Sequence, residues 1–103
     1  MSEQLKEIAE HYGYENQSMQ LIEEMAELTQ AVNHLRRYTD YNEFEHRQAV
    51  YEEIADVEIM IEQIKHLLSC HEEVEAFKDY KIKRQIDRMK GIKSEKKETT
   101  VRH

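Results

Sequence analysis

The sequence predicts an all-α protein, a four-helix bundle that assembles into an oligomer. The 103 residues include no proline, no tryptophan and only two glycines, Gly13 and Gly91. Leu, Met, Glu, Lys and Gln are frequent, and helices accept these side chains readily. Apolar residues recur every three or four positions, which is the period of an amphipathic helix. Because a few short helices rarely bury enough apolar surface alone, we expect a homo-oligomer, either a dimer or a tetramer.

The first two helices are predicted from a glycine and from capping residues. A first helix over about residues 3–12 should end at Gly13, a residue type that favours the left-handed conformation found at helix ends. Asn16 or Ser18 is then expected to cap a second helix that continues to about Tyr38.

The last two helices follow a short polar connection, in which Asp40 and Asn42 are the candidate caps. A third helix is predicted over about residues 45–68. The sequence SCHE that begins at Ser69 fits the S-x-x-E capping box, so it should start a fourth helix that ends near Gly91.

The chain is predicted to form one domain over residues 1–91, with a charged tail over residues 92–103 that has little to bury and is expected to be disordered. Residues 1–75 carry 5 basic and 18 acidic side chains, and residues 76–103 carry 10 and 4. The acidic body argues against nucleic-acid binding. No apolar run reaches the length of a membrane span or signal peptide, and the single Cys70 forms no internal disulfide, so a cytoplasmic location is expected.

Two acidic motifs lie 29 positions apart on the second and third helices. They are Glu24-x-x-Glu27 and Glu53-x-x-Asp56. Each acid pair flanks an apolar stripe with alternating spacings of four and three, which should pack against the other helix. The stripes are Leu21, Met25, Leu28, Val32 and Leu35 on the second helix, and Val50, Ile54, Val57, Ile61, Ile64 and Leu68 on the third.

The short connection between these helices predicts a central antiparallel hairpin. A two-fold axis relates antiparallel helices packed stripe to stripe, and it keeps both acidic flanks on the same side. The four carboxylates should therefore converge, and they must bind protons or cations because they repel one another. A set of oxygen ligands favours Mg²⁺, with Mn²⁺ possible, over zinc. Since Mg²⁺ usually takes remaining ligands from water and phosphate, this pattern predicts a phosphoryl-transfer site.

Basic residues on the fourth helix could supply the positive side of such a site. Lys81, Arg84 and Arg88 are spaced by three and four residues and share one helix face. Arg and Lys bind phosphate oxygens, and Arg does so in a bidentate way. The alternative is an ordinary solvated basic face that balances the acidic body.

The segments LIEEMAELTQAVNHLRR and EEIADVEIMIEQI resemble the MazG-like nucleoside triphosphate pyrophosphohydrolases of the all-α NTP pyrophosphatase superfamily. The resemblance covers about residues 17–90, including the basic segment FKDYKIKRQIDRM. It implies a Mg²⁺-dependent enzyme that hydrolyses nucleoside or deoxynucleoside triphosphates to the monophosphate and pyrophosphate, in nucleotide-pool clean-up.

The resemblance also implies a role for each residue of the two motifs. The metal ligands would be Glu24, Glu27, Glu53 and Asp56, with Glu24 and Glu53 as the catalytic residues. The phosphate-binding residues would be Lys81, Arg84 and Arg88. No motif fixes the nucleoside pocket, for which the region of Gln17 and Gln20, the first helix or another subunit is expected.

Two other classes of function remain open at the level of sequence. One is a helical interaction or nucleotide-binding module that keeps the bundle without catalysis. The other is a di-metal carboxylate oxidase, which Glu43 and His46 suggest because they form an E-x-x-H motif. Oxidases of this kind use two such motifs, and the sequence contains one.

Overall fold

The computed structural model describes residues 2–37 and 42–91, and these residues form helices without any strand. The prediction of an all-α fold is confirmed. The chain divides into two compact units, one that ends at Ser69 and one that begins at Cys70. The first unit contains α1 (Glu3–Arg37) and α2 (Glu43–Leu68), and the second contains α3 (His71–Met89).

Three helices stand where four were predicted, because the chain resumes the helix directly after Gly13. The backbone of Gly13 has φ 84° and ψ 166°, which interrupts α1 with a kink. The predicted break is present, but the predicted cap at Asn16 or Ser18 is wrong. Both side chains donate backward along the helix instead, Asn16 Nδ2 to the Tyr12 carbonyl at 3.0 Å and Ser18 Oγ to the Glu15 carbonyl at 3.1 Å.

The junction between α2 and α3 also differs from the prediction. Ser69 was expected to cap the last helix, but it ends α2 in the left-handed conformation with φ 51°. Its backbone N–H donates to the carbonyl of His66 at 3.1 Å. Cys70 is the residue before α3, and it makes no capping bond through its side chain. The capping-box prediction is therefore wrong, because a left-handed residue terminates a helix whereas an N-cap residue is typically extended.

The connection before α2 is described only in part. Asn42 precedes the helix without a capping bond from its side chain, and α2 begins at Glu43, earlier than expected. The predictions for Tyr38, Asp40 and the tail over residues 92–103 lie outside the described residues. The single domain over residues 1–91 stays a prediction.

The helices α1 and α2 pack along their length. Residue numbers in their contacts rise along α1 as they fall along α2, which is the order expected of antiparallel neighbours. Three contacts define this order: the rings of His34 and His46 with centroids 6.2 Å apart, Gln17 Nε2 donating to Gln63 Oε1 at 2.8 Å, and Glu10 Oε2 beside His66 Nε2 at 2.7 Å.

The packed faces of α1 and α2 coincide with the predicted apolar stripes only in part, since Val50 and Val57 of the α2 stripe are buried but other stripe residues are not. The buried residues of the two helices are Ala9, Gln17 and Ala31 in α1, and Val50, Val57, Met60 and Gln63 in α2. Five residues of the predicted stripes stay exposed, Met25 at 48%, Val32 at 40%, Ile54 at 39%, Ile61 at 40% and Leu68 at 53%. Each helix is rotated about its axis so that the side with the acidic motif lies closer to the other helix. The opposite edge of each apolar stripe therefore faces outward.

The described residues contain no helix that combines the length and the apolar character of a membrane span.

Candidate metal centre

Glu24 lies on the buried face of α1. It stands seven residues after Gln17 and seven before Ala31, and residues seven apart occupy nearly the same side of an α-helix. Gln17 and Ala31 are both buried, and Glu24 between them is half-buried. The small side chain of Ala31 leaves room for close packing on this face. The spacing of the motif predicts Glu24 on the flank of the packed stripe, and the structure brings this carboxylate further inward.

The carboxylates of α2 follow the same seven-residue relation. Glu53 precedes the buried Met60 by seven residues, and Asp56 precedes the buried Gln63 by the same interval. Glu53 is half-buried, whereas Asp56 is exposed. The rotation of α2 about its axis therefore brings Glu53 toward α1.

Three of the four predicted ligands come together at this point. Glu24, Glu27 and Glu53 each offer one carboxylate oxygen, and these oxygens all lie within 4.8 Å of one another. Ligand oxygens on opposite sides of one Mg²⁺ are about 4 Å apart, twice the metal–oxygen distance. The oxygens of the cluster are separated by at most 4.8 Å, which is near this spacing, and a bound ion would draw together any pair that lies wider. Asp56 lies outside this group of three.

The cluster disfavours the ionised form of Glu53. Loss of hydration is the largest cause that raises the pKa of Glu53, followed by the negative charges of Glu27, Asp56 and Glu24 and by a hydrogen bond with Glu24 that the protonated carboxyl can make. Asp56 thus acts on the cluster through its charge. A nearby cation would reverse this balance, because it favours the ionised carboxylate.

Two carboxylate oxygens in the cluster are buried and lack a donor. They are Glu24 Oε1 and Glu53 Oε1, which have no hydrogen-bond partner in the part of the chain that the structure describes. Buried polar atoms are normally satisfied, so each such exception asks for an explanation such as an ion, a proton or water. A proton shared by Glu24 and Glu53 would satisfy the two oxygens, and so would a cation of the hard, oxygen-binding class.

The two glutamines expected near the nucleoside are both engaged with other side chains. Gln17 is buried, and its amide N–H donates to Gln63 Oε1 at 2.8 Å. Gln20 is exposed, and its Nε2 donates to Glu24 Oε2 at 2.8 Å. A contact of either residue with a nucleoside stays a prediction.

The predicted phosphate-binding residues lie on α3, in the second unit. Lys81 and Arg88 are exposed and Arg84 is half-buried, with its guanidinium carbon 5.4 Å from the centre of the Tyr80 ring. These three side chains do not pack into an apolar core, since α3 contains no buried residue. Their role toward a phosphate stays a prediction.

Gln63 is the residue of this region that sequence reasoning missed. It is 2% exposed, its Oε1 accepts from Gln17, and its Nε2 lies 3.7 Å from Met60 Sδ. The sequence did contain a signal for Gln63: it follows Asp56 by seven residues, so it lies on nearly the same side of α2 as the acidic motif. A packing face predicted from apolar residues alone does not include a buried glutamine.

Comparisons of the chain with protein-family models, with curated proteins and with solved structures gave no significant match.

Proposed function

We propose that this chain is a Mg²⁺-dependent nucleoside triphosphate pyrophosphohydrolase that converts a nucleoside or deoxynucleoside triphosphate and water to the monophosphate and pyrophosphate. The observation that carries the proposal is the cluster of Glu24, Glu27 and Glu53, in which two buried oxygens lack a donor. The sequence resemblance of the two acidic motifs to the MazG-like enzymes supports the same reaction.

The carboxylates have distinct tasks in this proposal. Glu24, Glu27 and Glu53 hold the ion, and Asp56 adds negative charge from just outside the group. Mg²⁺ supplies Lewis-acid polarisation of phosphate oxygens and lowers the pKa of bound water. Glu24 and Glu53 are the catalytic pair, since they are half-buried at the centre of the cluster and orient water for attack on the α-phosphorus. Lys81, Arg84 and Arg88 lie in the second unit, and their role toward the phosphate chain stays a prediction.

The proposed enzyme is a cytoplasmic homo-oligomer. Support for the oligomer comes from apolar side chains that remain exposed on α1 and α2, among them Ile22, Met25, Val32, Ile54 and Ile61. Apolar surface in such an array typically marks a contact with another chain. A dimer or tetramer would bury this surface. The proposed partners are thus other copies of the chain and the nucleoside triphosphate substrate.

The direct test is an assay of canonical and modified nucleoside triphosphates with Mg²⁺, which measures pyrophosphate and orthophosphate separately. The wild type should release pyrophosphate only when Mg²⁺ is present. Glu53→Gln should reduce this rate at least about a hundredfold, because loss of a ligand removes metal-dependent charge stabilisation worth several kcal/mol.

Glu52→Gln is the matched control, since Glu52 is the exposed neighbour of Glu53 on the same helix. Its rate should equal that of the wild type. Orthophosphate as the sole product would refute attack on the α-phosphorus. Equal activity of Glu53→Gln and Glu52→Gln would refute the site, and no pyrophosphate release from any substrate would favour the non-catalytic interaction module.

A further inference from the structure

Gln20 donates a hydrogen bond from a neutral side chain to the carboxylate cluster. Its Nε2 lies 2.8 Å from Glu24 Oε2, one helical turn along α1. An amide N–H that donates to a carboxylate forms a charge-assisted bond, which is shorter and stronger than a bond between neutral groups. The bond therefore favours one rotamer of Glu24.

The two oxygens of Glu24 consequently have different environments. Oε2 accepts from Gln20, whereas Oε1 is buried and has no partner among the residues that the structure describes. Gln20 itself is exposed, so the contact is not a requirement of packing between α1 and α2. The arrangement keeps Glu24 extended toward Glu53 with one oxygen left for a ligand.

We propose that Gln20 is a positioning residue, which holds Glu24 in the orientation that binds a divalent cation. The inference rests on the proposed function, and it assigns Gln20 a role other than contact with the nucleoside. Donors that orient metal ligands from outside the coordination sphere typically contribute 10–100-fold to metal affinity.

The first arm of the test measures Mn²⁺ affinity by calorimetry for the wild type, Gln20→Met and Gln30→Met. Methionine keeps the length of the side chain and removes the amide donor. Gln30 is an exposed glutamine on the same helix and serves as the matched control. Gln20→Met should weaken Mn²⁺ binding about 10–100-fold, whereas Gln30→Met should leave it unchanged, with the same helix content in all three proteins.

The second arm follows the side-chain amide signals of the wild type by NMR during a titration with Mg²⁺. The chemical shift of the Gln20 amide should change with Mg²⁺ concentration as the fraction of protein with bound Mg²⁺ changes. The reason is that a change at Glu24 Oε2 acts directly on the donated N–H. The signal of Gln30 should not move. This arm reads the wild type alone, so it decides the matter even if Gln20→Met fails to fold.

The outcomes separate this inference from the function on which it rests. A wild type that binds neither ion overturns both. A wild type that binds the ions, together with unchanged affinity in Gln20→Met or an unmoved Gln20 signal, overturns the role of Gln20 and leaves the proposed enzyme intact.

Discussion

Glu53 is a carboxyl group whose ionised form is disfavoured by its surroundings in the fold. Its pKa is raised by lost hydration and by the charges of Glu27, Asp56 and Glu24. A raised pKa means that the folded state binds the proton more tightly than the unfolded chain does. Glu53 therefore contributes stability at low pH, and this contribution is lost as the pH rises through the pKa of the folded state.

Without metal, Glu53→Gln should unfold at a higher temperature than the wild type at pH 7. The amide removes a charge that the neighbouring carboxylates oppose, and near pH 3 the difference should shrink because Glu53 is then protonated. Thermal unfolding at both pH values, in the presence of a chelator, measures the effect. Glu52→Gln is the control and should change little. A Glu53→Gln protein less stable than the wild type at pH 7 would contradict the account.

At the scale of the helices, sequence predicted the helical class, the break at Gly13 and the two acid-bearing helices. It did not predict how far each helix turns about its axis. Ile54 and Ile61 belong to the apolar stripe, yet they remain exposed while Gln17 and Gln63 are buried. The periodicity of apolar residues shows only which face of a helix is hydrophobic. The rotation of α1 and α2 about their axes also depends on the hydrogen bond between Gln17 and Gln63, which are distant in sequence.

The Gln17–Gln63 pair provides a test of this rotation. Gln63→Leu should destabilise the protein by about 1–3 kcal/mol, because it leaves the buried amide of Gln17 without an acceptor. Replacing both glutamines by leucine should cost less than the sum of the two single changes, since no unsatisfied amide remains. Chemical denaturation of the two single variants and the double variant measures the coupling. Strict additivity would show that the two amides act independently.

Gly13 allows a second test at this scale. A Cβ at Gly13 would meet no atom within 4 Å, so Gly13→Ala introduces no clash. Its φ of 84° is nevertheless unfavourable for alanine, and holding it there would cost about 1–3 kcal/mol. We expect α1 to straighten and release the Glu10 contact with His66, together with the buried Ala9.

Hydrogen exchange measures this release as faster exchange in the segment before Gly13. Glu15→Ala, an exposed substitution two residues further along the same helix, is the control and should retain the wild-type pattern. Equal protection of Ala9 in the wild type and Gly13→Ala would show that the kink is not needed for docking of that segment.

For the molecule as a whole, the rotation of α1 and α2 has two consequences. It draws Glu24 and Glu53 together on one flank and exposes apolar side chains on the other. The first consequence concentrates negative charge where a cation would relieve it. The second leaves apolar surface that a monomer would expose to water, and this exposed surface is the reason for proposing an oligomer.

A charge on the exposed apolar flank should therefore reduce the oligomer to monomers. Val32→Lys is suited to this test because Val32 is 40% exposed and lies on the flank of α1 that the rotation leaves outside. Light scattering should give a smaller mass for Val32→Lys than for the wild type, with equal helix content. Asn33→Lys adds the same charge at an adjacent exposed position and should keep the wild-type mass. A monomeric wild type would contradict the proposed assembly.

A bound Mn²⁺ can be located in the wild type by the broadening that it causes in NMR spectra. Signals of Glu24, Glu27 and Glu53 should broaden first, at substoichiometric Mn²⁺, and Glu53→Gln should remove this preference. Broadening spread evenly over the exposed acids, or centred on Glu72 and Glu73 at the start of α3, would refute the proposed metal centre.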